Sequence, residues 1–205
     1  MNAPPLIHVV DDDDSLRSAL QRLLAAAGYR VRAYASAGEF LLDPPADTPG
    51  CLLLDLRMPG PSGLDLQEAL ARQGIGLPVI FLTGHGDLAT GVRAMKAGAV
   101  DFLVKPVERG SLLNAVARAL ERDAAQRAAR SADAALRARF AQLTARERQV
   151  FELVVAGRLN KQIASALGVA ERTVKAQRAQ VMAKLGAANA AELGRIAAQL
   201  RGRGG

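Results

Sequence analysis

The sequence predicts an α/β domain built on a parallel sheet, followed by a small all-helical domain. Three observations carry this. The apolar runs LIHVV, CLLL, PVIFL and DFLV recur through the first half, each short and rich in Val, Leu or Ile, as expected of strands buried on both faces of a parallel sheet. Each run ends at a residue able to do chemistry. The second half has no such runs and carries helix start and stop signals instead.

In chain order, Asp11 and Asp12 follow LIHVV, Asp55 follows CLLL, Thr83 follows PVIFL and Lys105 follows DFLV. Ligands of open α/β sheets bind beyond the carboxyl ends of the strands, near a topological switch point. Neighbouring strands would therefore bring three carboxylates, a hydroxyl and an ammonium into one pocket. Crowded carboxylates repel unless a hard cation sits among them, and Mg²⁺ favours oxygen ligands and commonly shares a site with phosphate. Asp55 reads as a nucleophile that forms an acyl phosphate, with Asp11 and Asp12 holding the metal. Lys105 offers charge and Thr83 a rotatable donor to the phosphoryl oxygens. Alone, the DDDD run at 11–14 reads as a solvated acidic stretch; the matching strand ends elsewhere outweigh that.

Composition allows two small domains in 205 residues, and with 3% aromatics the cores must be built from Leu, Val and Ala. The single cysteine, Cys51, excludes an internal disulfide and reads as a small core hydrophobe. No apolar stretch has the length of a membrane span, and Met1–Pro5 is no signal peptide, so a cytoplasmic protein is expected. Charge divides the chain: through Asp123 there are 12 Lys+Arg against 15 Asp+Glu, and from Ala124 onward 15 against 5. A basic second half suggests a polyanionic partner.

The Ala- and Arg-rich segment Glu121–Phe140 contains neither Pro nor Gly and reads as helix, continuing one that starts near Glu108, with a break expected at Ser131. Thr144 and Glu147 form a capping box before an apolar face of Leu143, Val150, Phe151, Val154 and Val155. A short helix is expected over Asn160–Leu167, a tight turn at GVA, and a longer helix over Glu171–Leu185 with Val174, Val181 and Leu185 inward. Asn189 and Glu192 cap a last helix ending near Leu200. A helix, three-residue turn and helix in this setting match a helix-turn-helix DNA-binding unit. A generic helical bundle has the same periodicity. The outward residues Arg172, Thr173, Lys175, Gln177, Arg178 and Lys184 favour the former, because such donors pair with phosphates and base edges.

The segments VVDDDDSLR, LLLDLRMPGPSGLDL and FLTGHGDLATGVRAMKAGAVDFLVKP together resemble the response-regulator receiver domain over residues 1–122. That resemblance implies a five-stranded, doubly wound, flavodoxin-like sheet with Asp55 as phosphoacceptor and Asp11, Asp12 and Asp55 around Mg²⁺. It also implies Thr83 as switch hydroxyl, Lys105 before a cis Pro106, Phe102 as the aromatic that follows Thr83, and Val92, Lys96 and Val100 on a dimerisation face. After a helical linker at 123–140, residues 141–205, with LTARERQVFELVVAGRLNKQIASALGVAERTVKAQRAQVMAKLG, resemble the LuxR-type domain of FixJ/NarL-family regulators, nearest to FixJ-like activators. By position, Thr173, Lys175, Ala176, Gln177 and Arg178 would then face DNA, with Lys161 and Lys184 on phosphates. Gln177 stands where the family usually has His, and Ala170 occupies an N-cap where a hydroxyl is usual. The implied partners are a sensor histidine kinase, double-stranded DNA with an inverted-repeat operator, RNA polymerase, and a second copy of the chain when phosphorylated.

Other classes fit less well. An aspartyl-phosphate hydrolase typically has a second Asp two residues after the nucleophile, where this chain has Arg57. A protein-binding rather than DNA-binding basic half is the other alternative. Gly84, Gly86 and Ala89 match a relaxed GxGxxA but not at a first βα turn, His85 has no metal-spaced companion, His8 reads as a strand residue, and there is no P-loop.

Overall fold

The computed structural model describes residues 4–45, 48–84 and 88–202; His85 and Gly86, considered above, lie outside them. Five strands, β1 (Leu6–Val10), β2 (Arg30–Tyr34), β3 (Gly50–Asp55), β4 (Val79–Thr83) and β5 (Asp101–Val104), pair in parallel in the order β2-β1-β3-β4-β5. The chain leaves β1 for β2 on one side and returns to β3 on the other, so the switch point lies between the carboxyl ends of β1 and β3.

Four strands coincide with the apolar runs. β2, RVRAY, does not: at one of the sheet's two edges, it alternates exposed and partly buried residues before buried Tyr34. Its exposed Arg30 and Arg32 interrupt the apolar run, so the signal that finds buried strands passes over it.

The five strands are crossed by α1 (Asp14–Ala26), α2 (Ala37–Leu42), α3 (Gly63–Arg72), α4 (Leu88–Lys96) and the start of α5 (Arg109–Ala141). Side chains alternate along β3. Cys51 and Leu53 join Leu20 and Leu24 of α1 and Leu112 and Val116 of α5. On the opposite face, Leu52 and Leu54 join Phe40 of α2, Leu66 and Leu70 of α3 and Ala94 of α4. Each such Leu, fully buried, stabilises the fold by roughly 1.5–3 kcal/mol. Burial, with Asp123 nearby, pushes the Cys51 thiol up to about 12, so it behaves as an inert core residue.

The expected break at Ser131 does not occur. α5 is continuous from Arg109 to Ala141, consistent with an Ala-rich stretch that has no Gly or Pro to stop it. The chain nonetheless divides into two compact units, Met1–Arg127 and Ala128–Gly205, with the boundary inside α5. Asp123 is buried, and its Oδ2 accepts a 3.0 Å hydrogen bond from the Gly50 amide at the start of β3. This residue, the first of the helical linker expected from sequence, thus ties α5 to the sheet. Gly63 marks a close approach at the other end of β3: a Cβ there would lie 2.4 Å from the Asp55 carbonyl oxygen.

The second unit contains α6 (Ala145–Val155), α7 (Asn160–Leu167), α8 (Glu171–Leu185) and α9 (Ala190–Arg201). The capping box is present: the Thr144 hydroxyl accepts from the Glu147 amide at 3.2 Å, and Glu147 Oε2 accepts from the Thr144 amide at 2.8 Å. Gly168 ends α7 with φ 64°, a left-handed turn that favours glycine. Ala170 gives α8 no side-chain cap, as its sequence implies. Val150, Phe151, Val154, Ile163, Val174, Val181, Leu185 and Leu193 form the core of this unit. No helix among the described residues is long and apolar enough to cross a membrane.

His8 is a strand residue with a thermodynamic consequence. It is 2% exposed, its Nδ1 lies 3.0 Å from the Tyr34 hydroxyl, and its ring packs edge-on against Phe40. Burial, with help from the Arg32 guanidinium, pushes the imidazole down from 6.5 to about 4. The unfolded chain therefore takes up this proton at higher pH than the folded one. The contribution to stability is complete above pH 6.5 and is lost as pH falls towards 4. Denaturant unfolding should show the wild type losing ~3 kcal/mol more than His8→Leu over that range. Parallel curves would assign the acid sensitivity to other groups.

Candidate functional site

Each functional side chain of the first unit is held by a strand end. Asp11 follows β1 and is fully buried. Its Oδ1 accepts from the Asp13 amide at 2.9 Å, and its carbonyl accepts from Arg17 Nη1 at 2.6 Å. Asp13 in turn caps α1, accepting from the Ser15 and Leu16 amides, so the DDDD run serves both as pocket wall and as helix start. Asp55 ends β3 and is 6% exposed; its Oδ1 accepts from the Arg57 amide at 3.3 Å. Lys105 follows β5, and its Nζ sits 2.9 Å from Oδ2 of both Asp11 and Asp55.

Carboxylate oxygens of Asp11, Asp12 and Asp55 lie within 4.8 Å of one another. Buried Asp11 Oδ2 has the Lys105 ion pair but accepts no hydrogen bond, whereas Asp12 is exposed. Burial pushes the Asp55 carboxyl up and the hydrogen bond from Lys105 pulls against it. Burial pulls the Lys105 ammonium down, but the Asp11 and Asp55 carboxylates beside it outweigh this and hold it above the usual lysine range. Three carboxylates face one ammonium, an all-oxygen set with an underused buried acceptor. These donors suit a hard divalent cation such as Mg²⁺.

Thr83 ends β4 one residue beyond Leu82, the register partner of Asp55. It is 3% exposed and its hydroxyl donates to the Gly84 carbonyl at 3.2 Å. Phe102, opposite Phe81 in the β4–β5 pairing, is half-buried against the core that includes Ala94 and Ala99. The Lys105–Pro106 bond is cis. The structure thus brings Asp11, Asp12, Asp55 and Lys105 together, with Thr83 on the adjacent strand end. On α4, Val92 is 48% exposed and Lys96 is exposed, while Val100, just before β5, is half-buried. Met95 and Val104 are exposed apolar neighbours in sequence that the residue reading did not single out.

In the second unit, Arg172, Lys175 and Ala176 are exposed on α8, Lys161 is exposed on α7, and Thr173 is partly exposed. Three other residues expected to face outward are paired within the unit or partly buried. Lys184 Nζ pairs with Glu147 Oε2 at 2.7 Å, tying α8 to the capping box of α6. Arg178 Nη1 donates to Asn160 Oδ1 at 3.1 Å. Gln177 is half-buried, and its Oε1 is buried without a hydrogen-bond partner. Helical spacing explains this: at about 100° per residue, positions 177 and 178 flank buried Val174 and Val181. The same spacing turns Gln180 outward, and it is exposed, a candidate the sequence reading missed by following motif positions instead of the helix face.

A doubly wound sheet with an acidic pocket at its carboxyl edge, joined to a helix-turn-helix unit, defines a class: a receiver domain coupled to a DNA-binding output. Residues 7–117 match the response regulator receiver domain family, and residues 141–197 match the family of bacterial regulatory proteins, luxR family. The chain is 48% identical over 195 residues to nodulation protein W of Bradyrhizobium diazoefficiens, covering 95% of this chain and 86% of that protein. It is 45% identical over 192 residues to the transcriptional regulatory protein FixJ of Azorhizobium caulinodans, covering 93% and 90%. Among solved structures, response regulator StyR aligns with a TM-score of 0.82 at 46% identity, covering 95% of this chain and 98% of that one. Full-length FixJ from B. japonicum aligns at 0.60 and 39% identity, covering 98% of each. The protein belongs to the response regulators with a LuxR-type helix-turn-helix domain, a family of DNA-binding transcription regulators and not of enzymes.

The acidic pocket predicts a measurable metal response. Mg²⁺ should raise the melting temperature of the wild type by mass action. Asp12→Ala, at an exposed position where the fold is insensitive, should weaken that effect roughly tenfold in apparent affinity. Equal Mg²⁺ stabilisation of both proteins would remove Asp12 from the ligand set.

Proposed function

We propose that this protein is a phosphorylation-switched transcriptional activator of a two-component system. Asp55 is the phosphoacceptor, and the observation that carries the reading is the Lys105 ammonium 2.9 Å from both Asp55 and Asp11 in a three-carboxylate pocket. An Asp55 carboxylate oxygen attacks the phosphorus of a phosphohistidine on a sensor kinase. The P–O bond forms as the N–P bond breaks, and the departing imidazole keeps the electron pair and takes up a proton. Asp11, Asp12 and Asp55 would hold Mg²⁺, which when bound would supply positive charge to offset the carboxylates and the incoming phosphoryl oxygens. The Lys105 ammonium follows the phosphoryl group, and Thr83 rotates its hydroxyl from the Gly84 carbonyl towards it. Phe102 moves into the space that Thr83 leaves.

The output is a dimer formed across the face bearing Val92, Lys96 and Val100. Two copies of α8 then meet successive major grooves about one turn apart on an inverted-repeat operator. Arg172, Thr173, Lys175 and Ala176 face the DNA and Lys161 contacts phosphate, in a unit whose charge favours a polyanion. Activation involves contact with RNA polymerase in the cytoplasm. Similarity to FixJ and nodulation protein W, the former named a transcriptional regulatory protein, supports this reading.

Sedimentation with Mg²⁺ and a small-molecule phosphodonor tests it: the wild type should pass from monomer to dimer and Asp55→Asn should not. A wild type that stays monomeric while phosphorylated would refute dimerisation as the output. Lys175→Ala should accept phosphate normally, weaken operator binding by roughly tenfold and lower the salt slope by about one.

A further inference from the structure

We propose that Arg178 is not a DNA contact but a positioning residue, which through Asn160 sets the angle of the recognition helix α8 against α7. This rests on the reading of α8 as the DNA-reading helix. Asn160 is the first residue of α7, one position inside the N-cap, so its side chain does not cap its own helix. The first turn is served instead by Gln162, whose Oε1 accepts from the Leu159 amide at 2.9 Å. The Asn160 amide oxygen is thereby free to accept from Arg178 Nη1 at 3.1 Å.

Helix geometry shows why the guanidinium turns that way. Position 178 lies about 40° around the helix from Val174, and position 177 about 60° on the other side, and Val174 is fully buried. Arg178 is accordingly half-buried, with its guanidinium against the first residue of α7. The outer face, centred opposite Val174, carries exposed Arg172, Lys175 and Gln180. A hydrogen bond to a charged donor contributes more than a neutral one. It joins the two helices at the first turn of α7, the end remote from the three-residue turn that is their covalent link, and so ties them at a second point. Binding by a rigid helix is sensitive to its angle, so loss of the tether acts on affinity without removing a phosphate contact.

The test uses full-length phosphorylated protein and a duplex recovered by the wild type from a random-sequence library. Arg178→Gln and Asn160→Ala should each raise Kd roughly tenfold at a temperature well below melting, and the double variant should be no weaker than either single one. The slope of log Kd against log salt should equal that of the wild type, whereas Lys175→Ala should lower it by about one. A slope reduced by about one in Arg178→Gln would make Arg178 a phosphate contact. A selected consensus that changes in Arg178→Gln would make it a base reader. An unchanged Kd with only a lower melting temperature would reduce the pair to general stability. Each of these three results overturns the proposal. A wild type that recovers no duplex at all fails the DNA-binding reading itself and is distinct from them.

Discussion

The ammonium of Lys105, 2.9 Å from a carboxylate oxygen of Asp11 and another of Asp55, organises the receiver unit. It offsets the charge of both carboxylates, and its hydrogen bond to Asp55 opposes the burial that pushes the Asp55 carboxyl up. It also connects the ends of β1, β3 and β5, strands that share no chain neighbourhood. The two apolar cores on either face of the sheet exist to hold these strand ends in register. Asp123 at the opposite end of β3 and Gly63 against the Asp55 carbonyl fix the same strand from below and above. Charge at the pocket and packing of the sheet are therefore one problem, because Lys105 and the two carboxylates it meets are each held by a different strand end.

The second unit solves its packing differently. Its helices are short and the chain reverses through Gly168 in a left-handed conformation, so polar ties supplement the small core. Lys184 to Glu147 joins α8 to α6, and Arg178 to Asn160 joins α8 to α7. Glu147 thus serves twice, in the α6 capping box and in the ion pair. Its carboxyl is held below the usual range by the Lys184 hydrogen bond and the Thr144 amide. The consequence for recognition is that fewer of the cations on α8 are available to DNA than its composition suggests.

Much was legible because the local code is strong. Buried strands announce themselves as apolar runs, and the residue after each run is where parallel sheets place function. Thr144, Glu147 and the GVA turn set the helices of the second unit by capping and turn chemistry, which act within a few residues. The edge strand β2 was less legible because half of its side chains meet water. Ser131 read as a break because serine is a modest helix former, yet the Ala and Arg on both sides carry the helix through it. Asp123 read as linker because nothing local reveals that the amide of Gly50 waits for it.

The sequence by itself determined four of the five strands, the pocket residues, the helix-turn-helix and the excess of positive charge in the second half, since these follow from residue type, periodicity and spacing along the chain. Only the tertiary structure decided which polar groups meet. Lys105 with Asp11, Asp123 with Gly50, Lys184 with Glu147 and Arg178 with Asn160 are partners separated by at least 18 residues. Such pairings depend on side-chain direction and on the crossing of distant elements. A hydrophobic pattern records which face of a helix is buried, but not which donor at its margin finds an acceptor on the next helix and which is left for DNA.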